Sequence, residues 1–152
     1  MKTLSDESCR EELGTRLRRL HPETPRRWGK MSAHQMVCHL ADAFRGYMGL
    51  RPVTNVSTPF LRRVVRPLAL WVPLPWPHGF RTAPELDQQR AGTKPGEFDR
   101  DVDDLLRLMG RISRRPRDFQ WQAHPLFGEL SESDWMRLGY LHTIHHLRQF
   151  GC

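Results

Sequence analysis

The apolar residues of this chain recur at helical spacing in several separate segments. Leu13, Leu17 and Leu20 keep that spacing among Glu and Arg residues near the start. No segment of any length alternates apolar and polar residues with the period of two that a half-buried strand requires. The pattern therefore predicts an all-α fold. A length of 152 residues suits a single domain, residues 1–152, with a core of its own.

Four main helices are predicted, and their ends carry capping signals. Ser32 with Gln35 forms a capping box at the start of the second helix, and Ser131 has Asp134 three residues later. Gly49 marks the end of the second helix. The predicted spans are about 4–20, 32–48, 97–113 and 131–150.

The middle of the chain, residues 51–97, is the least regular part. A short helix is predicted from Phe60 to Trp71. The run from Val72 to Pro77 cannot be helical because prolines interrupt it, and it would make a poor central strand. Because this run is apolar rather than rich in Gly and Ser, we interpret it as an ordered crossover connection within one domain instead of a flexible linker.

Charge and cysteine content exclude little but set expectations about partners and compartment. The formal net charge is +7 and 21 of the 24 basic residues are Arg. The basic pairs are scattered and no nucleic-acid-binding signature accompanies them, so no nucleic-acid partner is expected.

No apolar run is long enough to span a membrane, and the first residues lack the apolar stretch of a signal peptide. A cytoplasmic location is therefore expected. Three widely spaced cysteines predict no disulfide scaffold.

The short helix from Phe60 to Trp71 leaves one alternative open. Arg62, Arg63 and Arg66 lie beside apolar residues there. This pattern fits an amphipathic helix on a membrane surface. It fits equally a bundle helix whose Arg face is solvated, which is the commoner arrangement. Association into a homodimer through a helix face is compatible with the sequence but has no marker in it.

Histidines at the end of the chain carry the main chemical signal. His142 and His146 are four residues apart, so they share one face of the last helix and could bind one divalent ion. Spacing alone is weak evidence, and a third ligand must come from another helix. His39 lies near the edge of the apolar stripe of the second helix, whereas His34 points about 140° away and is expected to be exposed.

Other residues near these histidines have open or unremarkable roles. His145 could replace His142 or His146 as a ligand, or it could contact a ligand without binding the metal itself. Gln149 could hydrogen-bond a ligand or a metal-bound water, or be an ordinary polar residue near the helix end. Cys38 is interpreted as a small buried packing residue. The remaining histidines are expected to be bystanders: His21, His78 and His124.

Several segments resemble the DinB-like (DinB/YfiT) superfamily, and most closely one of its uncharacterised branches. The entry to the second helix, Arg27–Ser32 followed by Met36–Leu40, and the closing segment His142–Phe150 carry the resemblance. The segments 81–84 and 124–128 are similar as well. The resemblance covers nearly the whole chain, and its specificity lies in the order of one His on the second helix and an HxxxH pair on the last.

The resemblance implies a fold, a metal site and a type of activity. The fold would be an antiparallel four-helix bundle with a long Pro-rich crossover. His39, His142 and His146 would hold a divalent metal ion: zinc, nickel, iron or manganese. Several relatives are thiol transferases or thiol-dependent isomerases, so the expected substrate is a small molecule and the expected co-substrate a low-molecular-weight thiol.

Two hypotheses about function follow from the sequence. The first is a metal-dependent transferase or hydrolase acting on a small molecule. The alternative is a non-catalytic protein in which the metal is only bound or only stabilises the fold.

Overall fold

The structure, a computed structural model, describes residues 1–79 and 82–152, and the regular secondary structure within these residues is helical. Over these residues there is no β-strand, and one isolated antiparallel bridge joins His124 to Gly128. The predicted all-α class is confirmed. The α-helices are α1 (Glu7–Arg18), α2 (Ala33–Tyr47), α3 (Arg66–Trp71), α4 (Phe98–Ser113) and α5 (Glu132–Gln149).

Capping boxes begin the two helices that carry the candidate ligands. The Ser32 hydroxyl accepts the backbone N–H of Gln35 at 3.1 Å, and the Gln35 side chain accepts the N–H of Ser32 at 3.0 Å. Ser131 and Asp134 make the same reciprocal pair at 3.1 and 3.3 Å. Each box satisfies two N–H groups that a helix start would otherwise leave unpaired. Both predicted helix starts are confirmed.

The first helix is shorter than the predicted 4–20. The Asp6 carboxylate accepts the N–H of Thr3 at 3.1 Å, which folds the first residues into a turn. The N–H of Leu4 donates to the carbonyl of Met136 at 3.1 Å, which ties this turn to α5. These bonds replace the helical ladder, so α1 begins only at Glu7.

The predicted helix from Phe60 to Trp71 forms, and both Arg and apolar side chains are exposed along it. A wide turn over Leu61–Val65 precedes α3, next to Pro67, which has no N–H to continue a regular ladder. Arg62 and Arg63 are exposed, which confirms a solvated Arg face for these two residues. Arg66 is half-buried, because its guanidinium turns back to donate to the carbonyl of Glu129 at 2.9 Å. Large apolar side chains are exposed along the segment as well: Phe60, Val64, Leu68 and Trp71.

The four longer helices contact one another in pairs around a shared apolar core. Helices α1 and α2 each pack against both α4 and α5, and α3 packs against α5. None of the helices in the described part of the chain combines the length and apolar composition needed to cross a bilayer. The largest fully buried side chains come from all four longer helices and include Leu13, Met36, Phe44, Leu105 and Trp135.

The connection between α2 and α4 is ordered by specific hydrogen bonds, as predicted. The indole N–H of Trp76 donates to the carbonyl of Ala69 at 2.8 Å. The guanidinium of Arg51 donates to the carbonyl of Glu85 at 2.9 Å, beside a short 3₁₀ turn over Pro84–Leu86. Arg81, part of a segment that resembles the DinB-like branch, lies outside the described residues.

Tight packing at one glycine of α5 yields a stability prediction. A Cβ atom at Gly139 would lie 2.5 Å from the Leu4 side chain and 3.2 Å from the Phe44 ring. Gly139→Val should therefore lower the free energy of unfolding by about 1–3 kcal/mol, because the core must shift to accept the new atoms.

Gly110 on α4 provides the matched control. It is exposed, and no heavy atom lies within 4 Å of the position of an added Cβ. Gly110→Val should change the free energy of unfolding by no more than about 0.5 kcal/mol. Chemical denaturation of both variants measures the difference, and equal stabilities would contradict the described packing around Gly139.

Candidate metal centre

Three imidazoles from two helices meet at one point in the interior. His39 comes from α2, and His142 and His146 come from successive turns of α5. The Nε2 atom of His142 lies 3.1 Å from Nε2 of His39 and 3.2 Å from Nε2 of His146. His39 and His146 are buried, and His142 is half-buried. The structure thus brings together the three residues that the sequence singled out.

The outer nitrogens of two of these rings determine where their protons lie. Nδ1 of His39 is 2.8 Å from the carbonyl oxygen of Leu86, which can only accept, so Nδ1 carries the proton. Nδ1 of His146 is 2.9 Å from Oε1 of Gln149. The amide nitrogen of Gln149 in turn donates to the carbonyl of Trp28 at 2.9 Å, which fixes the orientation of that amide. Both neutral rings therefore present a bare Nε2 lone pair to the centre of the cluster.

His142 can adopt either tautomer because its outer partner is a hydroxyl. Its Nδ1 lies 3.0 Å from the Tyr47 oxygen, which can donate or accept. If Nε2 of His142 carried a proton, that proton could reach the lone pair of His39 or of His146 but not both. One buried lone pair would stay unmatched, which is unfavourable. If Nδ1 of His142 carries it, all three Nε2 atoms are free to bind a cation.

The spacing of these atoms suits a single divalent ion. Three nitrogens bound tetrahedrally at roughly 2.0–2.1 Å lie roughly 3.3 Å from one another. The observed separations of 3.1 and 3.2 Å are close to that value. All three donor atoms lie within 4.8 Å of one another. His39, His142 and His146 are therefore geometrically able to hold a metal ion.

Burial keeps these imidazoles neutral, which is the form that binds metals. Loss of solvation lowers the pKa of His39. The same effect, followed by the proximity of the other imidazoles, lowers the pKa of His142 and of His146 well below the ordinary value. Burial also raises the pKa of the Tyr47 hydroxyl, which therefore stays protonated beside His142. A proton thus competes weakly with a cation for the three Nε2 atoms.

His145 lies outside the cluster and beside a small cavity. Its ring centroid is 5.2 Å from that of His146 and 5.8 Å from that of Trp76. Burial lowers the pKa of His145, so this ring is neutral as well. The cavity has a volume of about 50 Å³, and its walls include Trp28, Trp76, His78, His145 and Arg148. Here His145 faces the space next to the ligand set and is not one of its converging donors.

Two residues of α2 near His39 form a separate cluster with α4. His34 was expected to be exposed, and this is wrong, because α4 packs over it and its Nε2 lies 2.7 Å from Oδ2 of Asp101. Cys38 is buried, as predicted, and its thiol lies 3.6 Å from the same oxygen. Burial, and then the Asp101 carboxylate, raise the pKa of the Cys38 thiol to about 12. Cys38 is therefore a protonated thiol and not a nucleophile.

The outer partners of the ligand set are the residues that sequence reasoning missed. Tyr47 was not considered as a partner of a histidine, and Leu86 and Trp28 contribute backbone carbonyls, which leave no trace in side-chain patterns. Gln149 had been considered as a hydrogen-bond partner of a ligand, and the structure places its Oε1 2.9 Å from Nδ1 of His146.

His124 is buried beside the site and yields a prediction about pH. Its Nδ1 accepts the N–H groups of Leu126 and Phe127, each at 3.2 Å. Burial lowers its pKa to about 3. The unfolded chain, with an ordinary His pKa of about 6.5, then binds a proton that the folded chain does not. This histidine should lower the stability of the metal-free protein by about 2 kcal/mol when the pH falls from 7.5 to 5.

The variant His124→Asn isolates this contribution. An Asn side-chain oxygen can still accept the two backbone N–H groups but does not titrate. Denaturation of chelator-treated protein at both pH values should show a pH dependence reduced by about 2 kcal/mol in the variant. An unchanged pH dependence would mean that His124 is not buried in its neutral form.

Comparison with known proteins identifies a family but no characterised relative. No significant match to a curated protein or to a solved structure was found. A family model described as "Protein of unknown function (DUF1569)" matches residues 8–151, which is nearly the whole chain. The chain therefore belongs to the DUF1569 family of proteins of unknown function.

Proposed function

We propose that this protein binds one divalent metal ion through the Nε2 atoms of His39, His142 and His146. The observation that carries the proposal is the convergence of these three atoms, with separations of 3.1 and 3.2 Å, while each Nδ1 has a hydrogen-bond partner on its outer side. An imidazole cluster of this kind suits zinc, nickel or iron, and manganese is a further candidate by the resemblance.

The arrangement of the helices supports a DinB-like four-helix bundle as the scaffold. Helices α1 and α2 each contact both α4 and α5, as neighbouring helices of a four-helix bundle would. The ligands come from α2 and α5, which contact each other. We propose the DinB-like type on this basis together with the resemblance of the two histidine-bearing segments.

The proposed activity is group transfer or hydrolysis on a small molecule, with a low-molecular-weight thiol as the expected co-substrate. When bound, a divalent ion held by three neutral imidazoles keeps its positive charge and lowers the pKa of a thiol or water that reaches it. The chain itself supplies the orientation of the three rings and a half-buried approach on the His142 side. Trp76, His145 and Arg148 line the adjacent cavity and would contact the small molecule.

Ligand replacement tests the proposed site. His39→Ala, His142→Ala and His146→Ala should each reduce the metal content of the purified protein by one equivalent, because two imidazoles rarely suffice for a stable site. His145→Ala, a histidine on the same helix outside the cluster, is the matched control and should retain the metal. Elemental analysis of untagged protein measures the content, and unchanged metal content in the ligand variants would refute the site.

Removal of one outer hydrogen bond tests how the ligands are oriented. Gln149→Ala should weaken metal binding about 10- to 100-fold without changing the stoichiometry, because Nδ1 of His146 loses its acceptor. Arg148→Ala, at the exposed neighbouring position, should bind metal as the parent does. Competition with a chelator of known affinity measures both, and equal affinities would show that Gln149 does not orient the ligand.

Turnover separates catalysis from mere binding. Metal-loaded parent protein should transfer a low-molecular-weight thiol to a small electrophile, and His142→Ala should lose this activity together with the metal. Metal-loaded protein that shows no turnover over a panel of thiols and electrophiles would favour the alternative of a non-catalytic metal-binding protein.

A further inference from the structure

A second group of metal-ligating side chains lies on another face of α2. Nε2 of His34 is 2.7 Å from Oδ2 of Asp101, and the Cys38 thiol is 3.6 Å from the same oxygen. One ligand atom from each of the three residues lies within 4.8 Å of the others. Cys38 is adjacent to His39 in sequence, but the two side chains leave the helix about 100° apart. This group is therefore separate from the cluster of three histidines.

The fold brings the three residues together from two helices. His34 and Cys38 are four residues apart on α2, so they lie one above the other on the same face. Asp101 lies in the first turn of α4, and α4 packs against α2 along this face. The His34 ring is held in place by the Phe98 ring, which it meets edge-on with centroids 5.1 Å apart.

Three donors converge on one carboxylate oxygen. Oδ2 of Asp101 accepts the N–H of Gly96 at 2.9 Å, in addition to its contacts with His34 and Cys38. A carboxylate oxygen has about two lone-pair sites, so these three donors exceed what it can bind well. A simple interhelical hydrogen bond would need only one of the two side chains. A nitrogen, a sulfur and an oxygen thus lie together between the two helices, and this donor set could take one ion in place of these hydrogen bonds.

We infer that His34, Cys38 and Asp101 form a second cation site, selective for a borderline-soft divalent ion of the zinc type. Sulfur, nitrogen and oxygen donors together suit zinc or cobalt, whereas magnesium and calcium avoid sulfur. On binding, the Cys38 thiol releases its proton to solvent and its sulfur bonds to the ion. His34 carries its ring proton on Nδ1 and binds through Nε2. The thiolate and the carboxylate then balance the two positive charges without any redox step.

This second site has a role different from that of the histidine cluster. Its ligands join the first two turns of α2 to the first turn of α4, so the ion would stabilise the contact between these helices in the folded state. Because the second site uses a thiolate, cobalt bound there would show thiolate-to-metal charge-transfer absorption, which three imidazoles cannot produce.

Titration with Co²⁺ under reducing conditions tests the inference. The parent protein should bind two equivalents, and the second site should add thiolate-to-cobalt charge-transfer absorption in the near ultraviolet. Cys38→Ala should lose this absorption and one equivalent. Cys9→Ala, which removes a buried thiol at another place in the core, is the matched control and should keep both.

Further variants separate this site from the proposed function. His142→Ala should keep the charge-transfer absorption while losing the other equivalent. If Cys38→Ala does not fold, His34→Gln and Asp101→Asn replace it, because their side chains are close in size to those of the parent residues. Each should weaken the binding of cobalt at the thiolate site at least tenfold. Charge-transfer absorption that is absent from the parent, or that persists in folded Cys38→Ala, would overturn the inference, whatever the histidine cluster does.

Discussion

The hydrogen bonds on the outer nitrogens of the histidine cluster are the constraint on which the site depends. An imidazole has two nitrogens, and an acceptor on one of them forces the lone pair onto the other. The Leu86 carbonyl does this for His39, and the Gln149 side chain does it for His146. With two lone pairs directed at the same buried point, the three rings are geometrically able to hold a cation there.

The irregular crossover between α2 and α4 is part of the site because it supplies the Leu86 carbonyl. A buried carboxylate fixes this segment. Asp42 accepts the side-chain amide of Gln88 at 3.0 Å, and both the backbone N–H and the hydroxyl of Thr93 at 2.7 Å. The guanidinium of Arg45 donates to it at 3.0 Å and compensates its charge. These hydrogen bonds hold a largely irregular segment against α2.

The sequence revealed the parts of the structure that local patterns encode. The capping residues Ser32 and Ser131 located the starts of α2 and α5, and the four-residue spacing of His142 and His146 placed both rings on one face. His39 could be selected because it lies at the edge of an apolar stripe, where a buried polar residue needs a partner. The tilt and order of the helices around the core had no comparable local signal.

What the sequence could not reveal depends on contacts between distant segments. A backbone carbonyl such as that of Leu86 has no side-chain signature, so its role beside His39 appears only once the crossover is folded. His34 was expected to be exposed because the helical wheel of α2 gives its direction but not the presence of α4 on that side. The same packing makes Asp101, 67 residues away, the partner of His34. Long-range packing, rather than local propensity, decided each of these cases.

The most direct test is anomalous diffraction at the metal absorption edge from crystals of the zinc-loaded protein. We expect an anomalous peak roughly 2.0–2.1 Å from the Nε2 atoms of His39, His142 and His146, with each Nδ1 still bonded to its outer partner. A zinc-loaded crystal with no peak among the three rings, or with the ion bound through Nδ1 of any of them, would contradict the proposed centre.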